Sequence, residues 1–400
     1  MITALFLWII KRGYLFWHKV KRNKKSPWNV FKNSFCPKPC FLNKPIVAFL
    51  FFGSISTAVN SGGDFLLGGF LTKTCEWFII FWLFLEVFTE KKHVFIALKI
   101  FTFTAFLTSI DSLVQFYWLG YDIVFHHPLD DKGFSTAAFD YANSLGGYLT
   151  IAVPLFFSFC FYFRKDKLKL FFAVGLFFAT IFSIFVTFSR SSWLALLVGF
   201  SLFFIFAGNR KVLGVYLLVV VLISGLFFSV FSKNISSSSK LNIDKIQSMA
   251  QWRIGIWEDS FKMIKEKPFL GHGPNTYMEK FQKYRRKKEG IHPYSPAYAH
   301  NGYIQLGAEL GVFALVSFLW ITFSLFNRGA SIIKNAIDYR DKDTIILAGL
   351  LSGCGAFLVH AFFDNNFYSL QLSAHIWISV GLAVAFMNLI KKHTEKTYTC

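Results

Sequence analysis

Acidic residues are scarce in this chain. It has 22 Asp and Glu against 42 Lys and Arg over 400 residues, and charged residues make up 16% of it, whereas a soluble chain has about 25%. So few charges cannot wrap the surface of a chain that is 54% hydrophobic and 20% aromatic, with 53 Phe. A mean hydropathy of +0.46 points the same way. An ordinary cytosolic domain, a disordered chain and a collagen are excluded. Cysteine is thin as well. There are six, with no CxxC, and Cys36 and Cys40 form a lone pair in a basic stretch. Neither a disulfide scaffold nor a zinc site is supported. A secretory cleavage site is missing too. Residues 2–10 are apolar but too short to cross a bilayer, and basic residues follow at once, which reads as an interfacial anchor. What remains is an all-α polytopic membrane protein. Its formal net charge of +20 fits cytoplasmic loop bias or an anionic substrate better than nucleic acid.

A bilayer core needs about 20 apolar residues in a helix. Ten runs qualify: 45–60, 65–88, 94–119, 144–163, 168–187, 192–208, 212–231, 303–326, 344–363 and 367–390. The first is short, and Lys73 sits inside the second. Basic residues orient such a chain. Segments 11–44, 89–93, 164–169, 208–211, 327–343 and the tail after 390 hold 25 Lys and Arg, while 61–64, 120–143, 188–191 and 364–366 hold two, Lys132 and Arg190. Both termini are therefore expected in the cytoplasm. The expected organisation is a basic segment at 1–44, seven spans over 45–231, a large outside loop at 232–302, three spans over 303–390 and a cytoplasmic tail at 391–400.

The loop carries 13 Lys and Arg against six acids. Long loops escape the orientation rule, so the excess has another cause: a solvated basic surface, contact with anionic headgroups, or a site for a charged ligand. Ser236–Ser239 is a flexible lead-in. Trp252, Ile256, Trp257, Phe261 and Ile264 fall on one face of an expected helix over 252–267. Pro268 stops it, and Gly271-His-Gly-Pro274 is a turn. A second helix is expected over 276–288, with Arg285, Arg286, Lys287 and Lys288 as a cationic last turn. Residues 290–299 are a Pro-broken connector. Asn301 is an expected helix N-cap. Gly307 and Gly311 form a GxxxG suited to close helix approach.

Several polar residues share the outer boundary. Arg190 lies in a turn too short to be a solvated loop; it either snorkels to lipid phosphate or binds substrate phosphate with its planar fork. Arg253 is a surface charge or a second such cation. His300 caps or packs, or handles a proton. His360 and Asp364, at i and i+4, are expected on one face, as a structural pair or a site pair. Tyr141 and Asn143 precede the fourth span on the same side. A coupled transporter needs ionisable groups near the midplane and broken helices. Few are present, and no internal repeat is obvious, so transport and a scaffold role rank lower. An outside cationic site beside lipid suits a lipid-linked diphosphate. Arginines would stabilise charge on the departing phosphate, and a histidine could take the acceptor's proton. No nucleotide is needed, and no cofactor is expected. The outside segments hold no carboxylate cluster of metal-site density, which favours metal-free chemistry.

Several stretches resemble the O-antigen ligase superfamily: Phe139-Asp-Tyr-Ala-Asn143, Phe188-Ser-Arg-Ser-Ser-Trp193, Trp252-Arg-Ile-Gly-Ile-Trp257, Lys267-Pro-Phe-Leu-Gly-His-Gly-Pro-Asn-Thr-Tyr277, His300-Asn-Gly-Tyr-Ile-Gln-Leu-Gly-Ala-Glu-Leu-Gly311 and His360-Ala-Phe-Phe-Asp364. They keep the family's order over roughly 139–390. The resemblance implies a multi-pass transferase of the bacterial inner membrane with one large periplasmic loop. It implies transfer of a glycan from undecaprenyl diphosphate to an acceptor, most often lipid A–core, without metal and with inversion. Polysaccharide polymerases and protein O-oligosaccharyltransferases belong to the same superfamily. By motif, Arg190 and Arg253 would contact the diphosphate and His300 would be the base or orient the acceptor. Asn301, His360 and Asp364 would line the substrate site. The cluster at Arg285 and Arg286 matches no family motif; its charge alone makes it a candidate for donor capture.

Overall fold

In lipid, backbone polar groups must be satisfied within the segment, so apolar runs of this kind fold as helices. The computed structural model describes residues 10–14, 17–18, 38–60, 62–208, 211–220, 222, 240–286, 298–336 and 342–398, with backbone alone for Asp64, 240–250 and 393–398. Residues 2–9, Cys36, 223–231, Ser236–Ser239, Lys287, Lys288, 290–297 and Cys400, on which several of the expectations above rest, lie outside the described residues.

The helices are α1 (Asn43–Val59), α2 (Gly63–Phe70), α3 (Glu76–Val87), α4 (Lys91–Val114), α5 (Ala142–Tyr162), α6 (Lys167–Val186) and α7 (Arg190–Phe206). They continue as α8 (Lys211–Val220), then α9 (Lys240–Glu266), α10 (Tyr277–Phe281), α11 (Gly302–Asn335), α12 (Lys342–His360) and α13 (Leu370–Tyr398). Among the described residues the only β pairing is one isolated bridge, Tyr121 to Pro128. A helix meets each of the ten apolar runs, but among the described residues length and composition suffice for crossing in six: Lys91–Leu119, Ala142–Tyr162, Lys167–Val186, Gly302–Asn335, Lys342–His360 and Leu370–Lys392. Of the ten expected spans, six are thus supported among the described residues. α1 has 17 residues, about 25 Å at 1.5 Å per residue, short of a hydrocarbon core of about 30 Å. The second run is split by a π-turn, Leu71–Cys75. That break accommodates Lys73, whose ammonium donates to the Tyr368 carbonyl at 3.3 Å.

α12 is the central helix. It packs most extensively against α5 and α7, and small residues permit the approach. A Cβ at Gly353 would come within 2.3 Å of the Ile151 carbonyl oxygen on α5. α1 lies against α11, α3 against α13 and α6 against α5. Aromatic rings fill the seams: Phe78 meets Trp377 edge-on at 4.8 Å, and Phe318 meets Phe367 at 4.9 Å. At one end of the bundle lie the α6–α7 turn, the start of α11 and the turn after α12.

The loop elements differ from expectation at three points. α9 begins at Lys240, twelve residues before Trp252. α10 is a single turn ending at Phe281, so Arg285 and Arg286 follow a helix rather than close one. Gly311 does not mediate close packing of two helices. It breaks α11 with φ 82° and ψ 176°, and the turn after α9 hydrogen-bonds into the break: Val312 N to Pro268 O at 2.8 Å, His272 N to Ala308 O at 3.0 Å, Gly273 N to Glu309 O at 2.8 Å. A Cβ on Gly311 would meet the Phe269 carbonyl oxygen at 2.2 Å, and one on Gly271 the Glu309 oxygen at 2.3 Å. Here both glycines are required by left-handed φ and by backbone contact.

Candidate functional site

The α6–α7 turn is held by hydroxyls. Thr187 caps back to the Ile184 carbonyl at 2.7 Å, and Ser192 Oγ donates to Ser189 Oγ at 2.9 Å. Phe188 takes φ 49°, and Arg190 then opens α7, exposed. Its neighbour Ser191 lies 3.1 Å from His360 Nε2 at the end of α12. The Asn366 side-chain amide lies at His360 Nδ1, its nitrogen at 2.9 Å and its oxygen at 3.3 Å, so the ring bridges Ser191 and Asn366. The wholly buried His360 thus ties the Arg190 turn to the turn that follows α12.

That second turn carries Asp364. α12 ends at His360, so the expected shared helical face does not form. Asp364 instead faces His300, Oδ1 to Nδ1 at 3.9 Å. The segment leading into α11 is fixed from both sides. Gly302 N donates to Ala361 O at 2.8 Å and Asp364 O at 3.1 Å. Asn301 N donates to Asn365 Oδ1 at 3.1 Å, and Trp257 on α9 donates through Nε1 to Ala299 O at 3.1 Å. Asn301 is the N-cap anticipated: its Oδ1 accepts from Tyr303 N and Ile304 N, both at 3.0 Å. His300 takes φ 48° and lies against Trp252, ring centroids 5.2 Å apart.

Two buried polar atoms here, His300 Nδ1 and Asn301 Nδ2, have no hydrogen-bond partner among the described residues. Unsatisfied buried groups cost about 1–3 kcal/mol each and call for an explanation such as a ligand. Arg253, near the middle of α9, is half-buried. Burial is the main cause that pushes its pKa down; Asp364 opposes the shift and the like charge of Arg190 adds to it. Burial would raise the Asp364 carboxyl, but the His300 and His360 rings and the Asn365 N–H hold it below the ordinary carboxylate range. Arg190, Arg253, His300, His360 and Asp364 therefore act on one another at a single place. Neither Arg190 nor Arg253 forms an ion pair or a side-chain hydrogen bond among the described residues. Two guanidiniums without an ion pair among the described residues, beside a partly buried imidazole, can hold an anion with several oxygens. Among the described residues no three of His, Cys, Asp and Glu are placed to hold a metal ion; the groups present here are two cations, two imidazoles, an amide and one carboxylate.

Arg286 stands apart from this group. Its Nε donates to Asp259 Oδ1 at 2.9 Å, its backbone N donates to Asp259 Oδ2 at 3.1 Å, and its guanidinium also pairs with Glu258. With Lys262, which also reaches Asp259, it holds the Asp259 carboxyl below its usual range in spite of burial. The arginine is thereby engaged in stapling α10 to α9. Arg285 has no side-chain partner among the described residues. Tyr141 is exposed and Asn143 half-buried at the start of α5.

Sequence reasoning missed the Ser191–His360–Asn366 chain and the role of Glu309. The latter, buried on α11, accepts from Asn275 N at 2.8 Å, Tyr277 N at 3.1 Å and Gln305 Nε2 at 3.2 Å. A lone acid in an apolar run was the available signal.

Residues 175–319 match a family model described as O-antigen ligase. The matched stretch runs from α6 into α11. It contains Arg190, Arg253, Arg285, Arg286, His300 and Asn301, and leaves His360 and Asp364 beyond it. No curated protein matches the chain. The likeness to that family thus covers part of the chain, from α6 to the middle of α11.

Proposed function

We propose that this chain transfers a glycan from undecaprenyl diphosphate to an acceptor, with ligation of O-antigen to lipid A–core as the leading assignment. The observation that carries the reading is the convergence of Arg190, Arg253 and His300, drawn from α7, α9 and the start of α11, beside Asp364 at one end of the bundle. In this reading the end faces the periplasm, the ten apolar runs pass through the bacterial inner membrane, and both termini are cytoplasmic.

The chemistry follows from the charges. An acceptor hydroxyl attacks the anomeric carbon, the bond from that carbon to the phosphate oxygen breaks, and the diphosphate leaves with the bonding electrons. Arg190 and Arg253 bind the diphosphate oxygens and stabilise the charge that grows on them. Preplaced donors of this kind contribute about 10²–10³-fold each. His300 takes the hydroxyl proton or orients the hydroxyl. Asp364 faces its Nδ1 at 3.9 Å and orients the ring. Asn301 Nδ2, a buried donor with no acceptor among the described residues, would bind a sugar or phosphate oxygen. Arg285 adds charge for donor capture at the margin.

Reconstitution tests this directly. Purified protein in vesicles, given a lipid-diphosphate glycan and lipid A–core, should yield the joined product with neither nucleotide nor metal added. Lengthening of the donor glycan alone would assign a polymerase instead. Movement of the donor across the vesicle without a new bond would replace transfer by transport.

A further inference from the structure

The hairpin that joins α4 to α5 is turned inside out relative to a loop in water. Tyr117, Trp118, Tyr121, Ile123, Val124 and Phe125 are all exposed, Trp118 by 75%. The one charged residue of 117–125, Asp122, is wholly buried. Its carboxylate accepts from Val124 N at 2.9 Å, Phe125 N at 2.7 Å and His127 N at 2.5 Å. Asp111 accepts from Ile123 N at 2.8 Å. Polar atoms thus face inward and fix the turn, while rings and branched chains face outward. An exposed apolar patch of this size signals a partner.

The partner is identified by what the patch continues. Ile96, Ile100, Phe103 and Leu107 are exposed at i, i+4, i+7 and i+11 on α4, a single stripe along a candidate membrane span. The stripe runs up to the hairpin tip. Trp and Tyr, apolar with one polar handle, suit the boundary of headgroups and acyl chains. We propose that the Tyr117–Phe125 tip is seated in lipid, at the interface of the leaflet on the His300 side, as a rigid anchor. It is also tied to the site turn. Phe188, two residues before Arg190, packs on Phe134 at 4.7 Å and Phe116 at 6.3 Å, and Ser135 N donates to Val186 O at 3.0 Å. Lipid contact at this tip does not depend on glycosyl transfer.

The test is photocrosslinking of the full chain in phosphatidylethanolamine–phosphatidylglycerol vesicles. p-Benzoylphenylalanine replaces Phe125, and in a second variant Val124, so that a defect at one site is not decisive. Phe103 on the α4 stripe serves as the lipid-facing control, and the exposed Lys132 as the aqueous one. Phospholipid adducts should form at both tip positions at the Phe103 level, several-fold above Lys132. Adducts at the Lys132 level, or adducts formed chiefly to this chain or a second copy of it, would overturn the anchor.

Discussion

Arg253 and Arg190 are where the charge balance is most telling. Among the described residues neither has a paired carboxylate, and burial, with Asp364 opposing and the Arg190 charge adding to it, pulls the Arg253 pKa down. Arg253→Ala should lower turnover by about 10²–10³-fold with normal membrane insertion; Arg253→Lys should recover part of it, because a point charge replaces a bidentate fork. Steady-state rates in vesicles would show both. Asp364 makes a pH prediction. Its folded pKa lies below the unfolded value of about 3.9, so the carboxylate contributes stability that is fully present above that value and is lost as pH falls through the folded pKa. Thermal melts between pH 7 and pH 3 should show Asp364→Asn less stable at neutral pH, with the difference closing on acidification; a difference that grows toward acid would contradict the assignment. At this scale the sequence was readable where a local rule applied. Asn301 capped its helix because a short polar side chain before an apolar run has little else to do. The coupling of Ser191 to His360 was not readable, because nothing local encodes a contact across 169 positions.

Elements carry the loop to the site. α9 holds Arg253, and its exit turn is clamped into α11 by Glu309 and by the break at Gly311. Gly311→Ala sets a Cβ against the Phe269 carbonyl at 2.2 Å and forces a left-handed φ on alanine. A loss of about 1–3 kcal/mol is expected, read as a lower melting temperature in detergent. Gly175→Ala, in open space on α6, should be neutral or stabilising by up to about 1 kcal/mol. Equal melting of the two would remove the clamp from the account. Arg286→Ala should loosen α10 from α9 and lower protection of the 277–286 amides in hydrogen exchange, while leaving donor affinity nearly intact. A large drop in affinity would instead assign the arginine to donor capture. The GxxxG reading went astray because small-residue spacing is the same for two packed helices and for one helix broken to receive a turn. The 276–288 helix was overcalled because aromatic spacing there reports packing of Tyr277 and Phe281 against α9, not helix length.

At the scale of the molecule, composition alone identified a helical membrane protein, and the positions of the apolar runs foretold where helices lie. Run length was a poorer guide: the second run is divided by the π-turn Leu71–Cys75, which holds Lys73, and α1 has only 17 residues. The skew of 25 basic residues to two leads us to expect both termini on one side; reporter fusions after Lys392 and within 11–44 should agree with each other and disagree with one at Lys132. The convergence of distant motifs could be expected from shared topology, yet only tertiary packing sets their distances. The most direct test of that convergence is a double-mutant cycle on turnover with the lipid-diphosphate donor. If Arg190 and Arg253 hold one diphosphate, Arg190→Ala and Arg253→Ala should each be severe, and the double variant should lose far less than the product of the two. Near-normal rates in either single variant, or losses that simply multiply, would contradict a shared site.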